Sequence, residues 1–100
     1  MRKVNFLILF IILTGKVYAS SMRDIIFNNI IPKLKSELEF SFTVEEKIDC
    51  VGDTTFNIQT EDNGIIIVDG NDGSTAYFST PNSEEWILNF YSIKNNILKK

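Results

Sequence analysis

The chain reads as a small α+β domain: an N-terminal helix, a four-stranded antiparallel meander and a C-terminal helix. Three observations predict this. Apolar residues recur at three- and four-residue spacing in the two end segments, Met22 to Leu38 and Trp86 to Ile97. Between them the period drops to two, as in Phe40-Ser41-Phe42-Thr43-Val44 and Thr55-Phe56-Asn57-Ile58-Gln59. In the middle stands a run of four β-branched residues, Ile65-Ile66-Ile67-Val68, bracketed by Asn63-Gly64 and by Asp69-Gly70-Asn71-Asp72-Gly73. Being apolar on both parities, that run predicts an interior strand with both faces covered.

Residues 1–19 have the make-up of a secretory signal. Arg2 and Lys3 precede the apolar run Val4–Leu13, and Val17-Tyr18-Ala19 supplies a cleavage site before Ser20. The run is about half the 20 residues that a spanning helix needs. The expectation is a secreted or periplasmic protein cut after Ala19, with residues 20–100 forming one domain. A domain of this size holds one modest core, and with Cys50 as its lone cysteine it cannot add an internal disulfide.

The first helix is expected over 22–38. Ser21 and Asp24 suit its start, its apolar face is Met22, Ile25, Ile26, Ile30, Leu34 and Leu38, and Pro32 predicts a kink or restart near residue 31. Phe40, Phe42 and Val44 then form one face of a strand. The same parity resumes at Ile48 and Cys50, with Glu46 breaking it, and Cys50 is expected as a small buried hydrophobe. A turn at Val51-Gly52-Asp53-Thr54 leads to a second strand in which Phe56 and Ile58 share a face. Asn63-Gly64 predicts a type I′ hairpin turn into the central strand. After the glycine-rich loop, Thr75–Ser79 is the fourth strand, and Pro81 stops the sheet. Asn82 or Ser83 is expected to cap the last helix, with Glu84 and Glu85 in its first turn and Trp86, Ile87, Phe90, Ile93 and Ile97 on its apolar face. Both helices are expected on one face of the meander.

Charge is the strongest functional signal. All thirteen carboxylates follow the signal segment, against seven of the ten Lys and Arg, for a net charge of −6 over residues 20–100. From Glu37 to Glu85 there are twelve acidic residues and a single lysine, Lys47. Such a middle argues against nucleic acid and anionic membrane surfaces as partners and is compatible with a basic protein. Solubility of an exported domain accounts for the same excess more plainly.

Catalytic groups are scarce. The chain has no histidine, which removes the usual neutral-pH base, the Ser-His and Cys-His nucleophile pairs and the commonest zinc ligand. The loop Asp69–Gly73 fails the EF-hand pattern, with glycine at its fifth position and Thr80 at the twelfth, and reads as a strand connection. No enzyme activity, cofactor or metal is expected. Tyr77 and Tyr91 are the aromatics expected at the surface, whereas Trp86 and Phe90 belong to core packing.

Over residues 22–93 the order of elements resembles the sterol carrier protein 2-like family. The matching stretches are Thr55-Phe56-Asn57-Ile58, Gly64-Ile65-Ile66-Ile67-Val68-Asp69-Gly70, Thr75-Ala76-Tyr77-Phe78-Ser79-Thr80 and Ser83-Glu84-Glu85-Trp86-Ile87-Leu88. That family continues with a glycine, a further strand and a closing helix that have no counterpart here up to Lys100. The resemblance implies a pocket for a lipid or other apolar ligand between sheet and helices.

Two functional expectations follow. The first is an exported, non-enzymatic module of the inhibitor or immunity type that binds a basic protein, with Glu61, Asp62, Asp69 and Asp72 as contact carboxylates. The second is a carrier of a hydrophobic ligand held by Phe56, Ile58, Phe78, Trp86 and Phe90.

Overall fold

The computed structural model describes residues 21–99, so the expected signal segment and its cleavage point lie outside the described residues. A helix, α1, spans 22–37. Four strands follow, β1 (Phe42–Ile48), β2 (Thr54–Thr60), β3 (Ile65–Asp69) and β4 (Thr75–Tyr77), and then helix α2 (Pro81–Leu98). The strands form one antiparallel meander in the order β1-β2-β3-β4. The fold class is the expected one.

Both helices pack on the same face of the sheet. Ile26, Ile30 and Leu34 of α1 and Trp86 and Phe90 of α2 meet Phe56 and Ile58 of β2 and Ile66 and Val68 of β3, all fully or almost fully buried. The Trp86 ring stacks on Phe90 with centroids 5.3 Å apart and meets Phe42 edge to face at 5.9 Å. Such aromatic pairs add about 0.5–1.5 kcal/mol beyond their buried area.

α1 changes its hydrogen-bond register at Ile31, where a kink or restart is expected, without breaking. Its backbone stays helical, and residues Ile26–Ile30 widen into one π turn, in which the Ile31 N–H reaches back to the Ile26 carbonyl. Pro32 then occupies the first turn of the α-helical segment Ile31–Glu37. A proline lacks the N–H that a regular α-helix would use, and a change of hydrogen-bond register just before it absorbs that loss.

The β2–β3 turn also departs from expectation. Asn63 has φ 69° but Gly64 does not have positive φ, so this is not a type I′ turn. The Asn63 N–H donates to the Thr60 carbonyl (3.0 Å) and the Thr60 N–H to the Gly64 carbonyl (2.9 Å). That is a three-residue loop with a left-handed residue at its end. Gly64 is needed for closeness instead: a Cβ there would lie 2.6 Å from Thr60 Oγ1 and 3.0 Å from Ser83 Cβ.

Pro81 opens α2 at its first turn, a position where its missing N–H costs nothing. The N-cap is therefore Thr80, two or three residues before the expected cap. Thr80 and Ser83 exchange bonds as a capping box, the Ser83 N–H donating to Thr80 Oγ1 (3.3 Å) and the Thr80 N–H to Ser83 Oγ (3.0 Å).

Three expectations about burial are overturned. Ile65 and Ile67 are not covered: they are 40% and 45% exposed, because both helices sit under Ile66 and Val68. Cys50 is exposed, since β1 ends at Ile48 and the cysteine lies in the turn that follows. Phe78 is 64% exposed, just past the end of β4 and on the face away from the helices. Tyr77 is exposed as expected, whereas Tyr91 is half-buried, its hydroxyl 3.0 Å from Thr75 Oγ1.

Candidate functional site

Strand register turns the uncovered sheet face into a small grid. Glu45, Asn57, Ile67 and Ala76 form one row across the four strands. Thr43, Gln59 and Ile65 form the next, continued by Phe78, whose N–H donates to the Ile65 carbonyl (3.1 Å). A third row runs Lys47, Thr55, Asp69. The β1–β2 half of this face is polar, while the β3–β4 half carries the apolar residues Ile65, Ile67, Ala76 and Phe78, with Asp69 at its end. A depression of about 170 Å³ is lined by those four residues and Tyr77. It continues toward β1 as a second hollow of about 250 Å³, walled by Ile65, Ile67 and polar side chains that include Glu45 and Asn57. Contiguous exposed apolar surface rimmed by polar groups is the usual mark of an interaction site.

The four expected carboxylates do not converge. Glu61 and Asp62 sit in the β2–β3 turn, and Asp69 and Asp72 sit at the β3–β4 turn, at opposite ends of β3. Each also has work inside the fold. A Glu61 oxygen accepts the Ser41 N–H (3.2 Å). Asp69 Oδ1 accepts the Asn71 N–H (2.6 Å), and Asp72 Oδ1 accepts the Ser74 N–H (2.9 Å). Asp62 is the most committed. It accepts from Thr60 Oγ1 (2.6 Å), the Asn82 N–H (3.0 Å), the Gly64 N–H (3.3 Å) and Thr80 Oγ1 (3.3 Å). The Thr60 hydroxyl, followed by the Asn82 and Gly64 amides, holds the Asp62 carboxyl below the usual carboxylate range. Asp72 is held low chiefly by the Ser74 amide. Asp62 is thus a fastening between the β2–β3 turn and the start of α2, and Asp69 and Asp72 shape their own loop.

The five residues expected to hold an apolar ligand are also divided. Phe56, Ile58, Trp86 and Phe90 are closed into the core, in contact with one another and with α1, while Phe78 lies on the opposite side of the sheet. Trp86 Nε1 is buried without a hydrogen-bond partner among the described residues.

Sequence reasoning missed a fixed charge pair. Glu46, which breaks the parity of its strand, does so because it faces the helices, where Arg23 clasps both its oxygens at 2.7 Å. The Arg23 guanidinium lies 4.8 Å from the Phe27 ring centre, and Phe27 stacks on Phe56 at 6.0 Å. The bonds from Arg23 hold the Glu46 carboxyl below its ordinary value. An isolated carboxylate in an otherwise apolar parity, with one arginine in the first turn of the preceding helix, was the available signal.

No described helix is long and apolar enough to cross a membrane, and among the described residues no three His, Cys, Asp or Glu side chains group as a metal site. Compared with known proteins, the chain matches no family model, no curated protein and no solved structure, so the resemblance drawn from its sequence gains and loses nothing there.

Proposed function

We propose that this chain is an exported, non-enzymatic binding module whose contact surface is the apolar half of its uncovered sheet face, and that its partner is a basic protein. The observation that carries the reading is the placement of Ile65, Ile67 and Phe78 side by side on the face that neither helix covers. Three large apolar side chains lie together in solvent there, and contact with a partner would cover them as one patch. The acidic balance of residues 20–100 supports a basic partner, whose approach it would accelerate at low salt. This moves the expected contact residues from the four turn carboxylates to the sheet face, with the carboxylates at its ends as a charged rim.

A photo-crosslinking residue placed at Ile67 tests the reading. It is expected to trap a protein of high isoelectric point at low salt, whereas the same residue at exposed Asn95 on α2 traps nothing specific. Ile67→Lys is expected to weaken the captured complex by about tenfold or more, as loss of a central interface residue does. Equal trapping at both positions, or an acidic partner, overturns the proposal.

The carrier reading has one observation in its favour, the orphaned Trp86 Nε1, which an acceptor on a bound ligand would satisfy. It requires Phe56, Trp86 and Phe90 to part from one another. Native mass spectrometry separates the two readings: a retained lipid mass supports the carrier, and bare protein mass with no uptake of an apolar probe opposes it.

A further inference from the structure

We infer that the partner is held by strand addition: an extended segment with basic ends joins the sheet at β4 as a fifth strand. This rests on the open face being the contact surface and adds how the contact is made. The Ser74 carbonyl accepts the Asp69 N–H (2.8 Å) and the Phe78 N–H donates to the Ile65 carbonyl (3.1 Å), so Ser74, Ala76 and Phe78 are the residues bonded to β3. By the alternation of an antiparallel ladder, the N–H and C=O groups of Thr75 and Tyr77 point away from the sheet. Neither residue's backbone enters a turn, loop or side-chain hydrogen bond among the described residues.

Sheet edges that must stay single are usually blunted by charge, proline or a cover. The far edge, β1, has Glu45-Glu46-Lys47 in succession. From Thr75 to Thr80 the β4 edge has no charge and no proline. An added strand would lay alternate side chains beside Ala76 and Phe78, over the apolar depression already described.

Charge selects the occupant. Asp69 and Asp72 precede β4, partly offset by Lys94, whose Nζ donates to the Gly73 carbonyl (3.2 Å), and Glu84 and Glu85 follow it. A second copy pairing antiparallel along β4 would set the Asp72 end of each chain against the Glu84 end of the other. A segment with apolar residues at alternate positions and lysine or arginine at both ends meets no such repulsion.

The test uses a nine-residue peptide with two lysines at each end of an Ile-Ser-Val-Ser-Ile centre, about the length of the edge plus its flanks. At low salt it is expected to bind about tenfold or more tightly than the same peptide with glutamate ends. Methylating the backbone nitrogens on one edge of the peptide is expected to abolish binding to the unaltered chain. On the protein, Tyr77→Pro removes an outward N–H without touching a ladder bond and is expected to lose at least tenfold, whereas Tyr77→Ala, which keeps that N–H, loses much less. Thr75→Pro repeats the test if Tyr77→Pro fails to fold. Absence of lysine-peptide binding at millimolar concentration, equal affinity for the two peptides, or indifference to both the methylation and the proline overturns strand addition. If a basic protein is nonetheless trapped at Ile67, contact by the sheet face stands and only its mode is wrong.

Discussion

The two edges of the sheet are built on different terms. β1 is seven residues long and its side chains tie it to α1 at both ends. Arg23 grips Glu46 near one end, and at the other Lys35 Nζ lies 4.7 Å from the Phe42 ring centre while that ring meets Trp86. β4 is three residues long, and its described side-chain tie is the Thr75–Tyr91 hydroxyl pair. One edge is fastened and charged, the other is short, uncharged and next to exposed apolar surface. The second edge is the one that the proposed strand addition would use.

Substitutions on both sides sharpen the contrast. Phe42→Ala is expected to have the largest effect, about 3–5 kcal/mol by denaturant unfolding, because it empties a buried aromatic site beside Trp86. Gly64→Ala, in the turn between the two halves of the sheet, forces a Cβ against the Thr60 and Thr80 hydroxyls and is expected to cost about 1–3 kcal/mol. Glu46→Gln removes the grip on β1 and is expected to cost about 1 kcal/mol, since the pair is partly exposed. Tyr91→Phe, the corresponding change for β4, is expected to cost about 0.5–1 kcal/mol. Should Tyr91→Phe exceed Glu46→Gln, the contrast between a fastened and a loosely held edge fails.

Acid gives a further measurement. The carboxyls of Glu46, Asp62 and Asp72 are all held below their unfolded values by hydrogen bonds, so at low pH the unfolded chain binds more protons than the folded one. Their contribution is complete above the ordinary carboxylate range and is lost as pH falls through the depressed folded values. Thermal melts from neutral pH to pH 2 are expected to show this decline, and Asp62→Asn is expected to flatten its lower part while reducing stability at neutral pH.

Much of the architecture was legible because each element repeats its own period. The helices and the meander followed from spacing alone, and so did the burial of Trp86 and Phe90. What was not legible depends on neighbours. Ile65-Ile66-Ile67-Val68 reads as covered on both faces, yet with both helices on one face there is no described element to cover the other. Pro81 reads as a stop and serves as the first residue of a helix, a choice settled by Thr80 and Ser83. Glu61, Asp62, Asp69 and Asp72 read as contact carboxylates in loops, but β3 lies between the two pairs and separates them. Asn63-Gly64 reads correctly as a turn, but the need for glycine at its second position comes from Thr80 and Ser83, sixteen and nineteen residues away.

The Asp62 carboxylate joins two events that sequence distance would keep apart. Until β2 and β3 have closed their turn, α2 lacks this acceptor for the Asn82 amide, and until α2 begins at Pro81, the carboxylate lacks that donor. The middle hairpin and the last helix should therefore open and close together. In native-state hydrogen exchange, their amides would share one opening free energy, with β4, strung between them, carried along in the same cooperative unit.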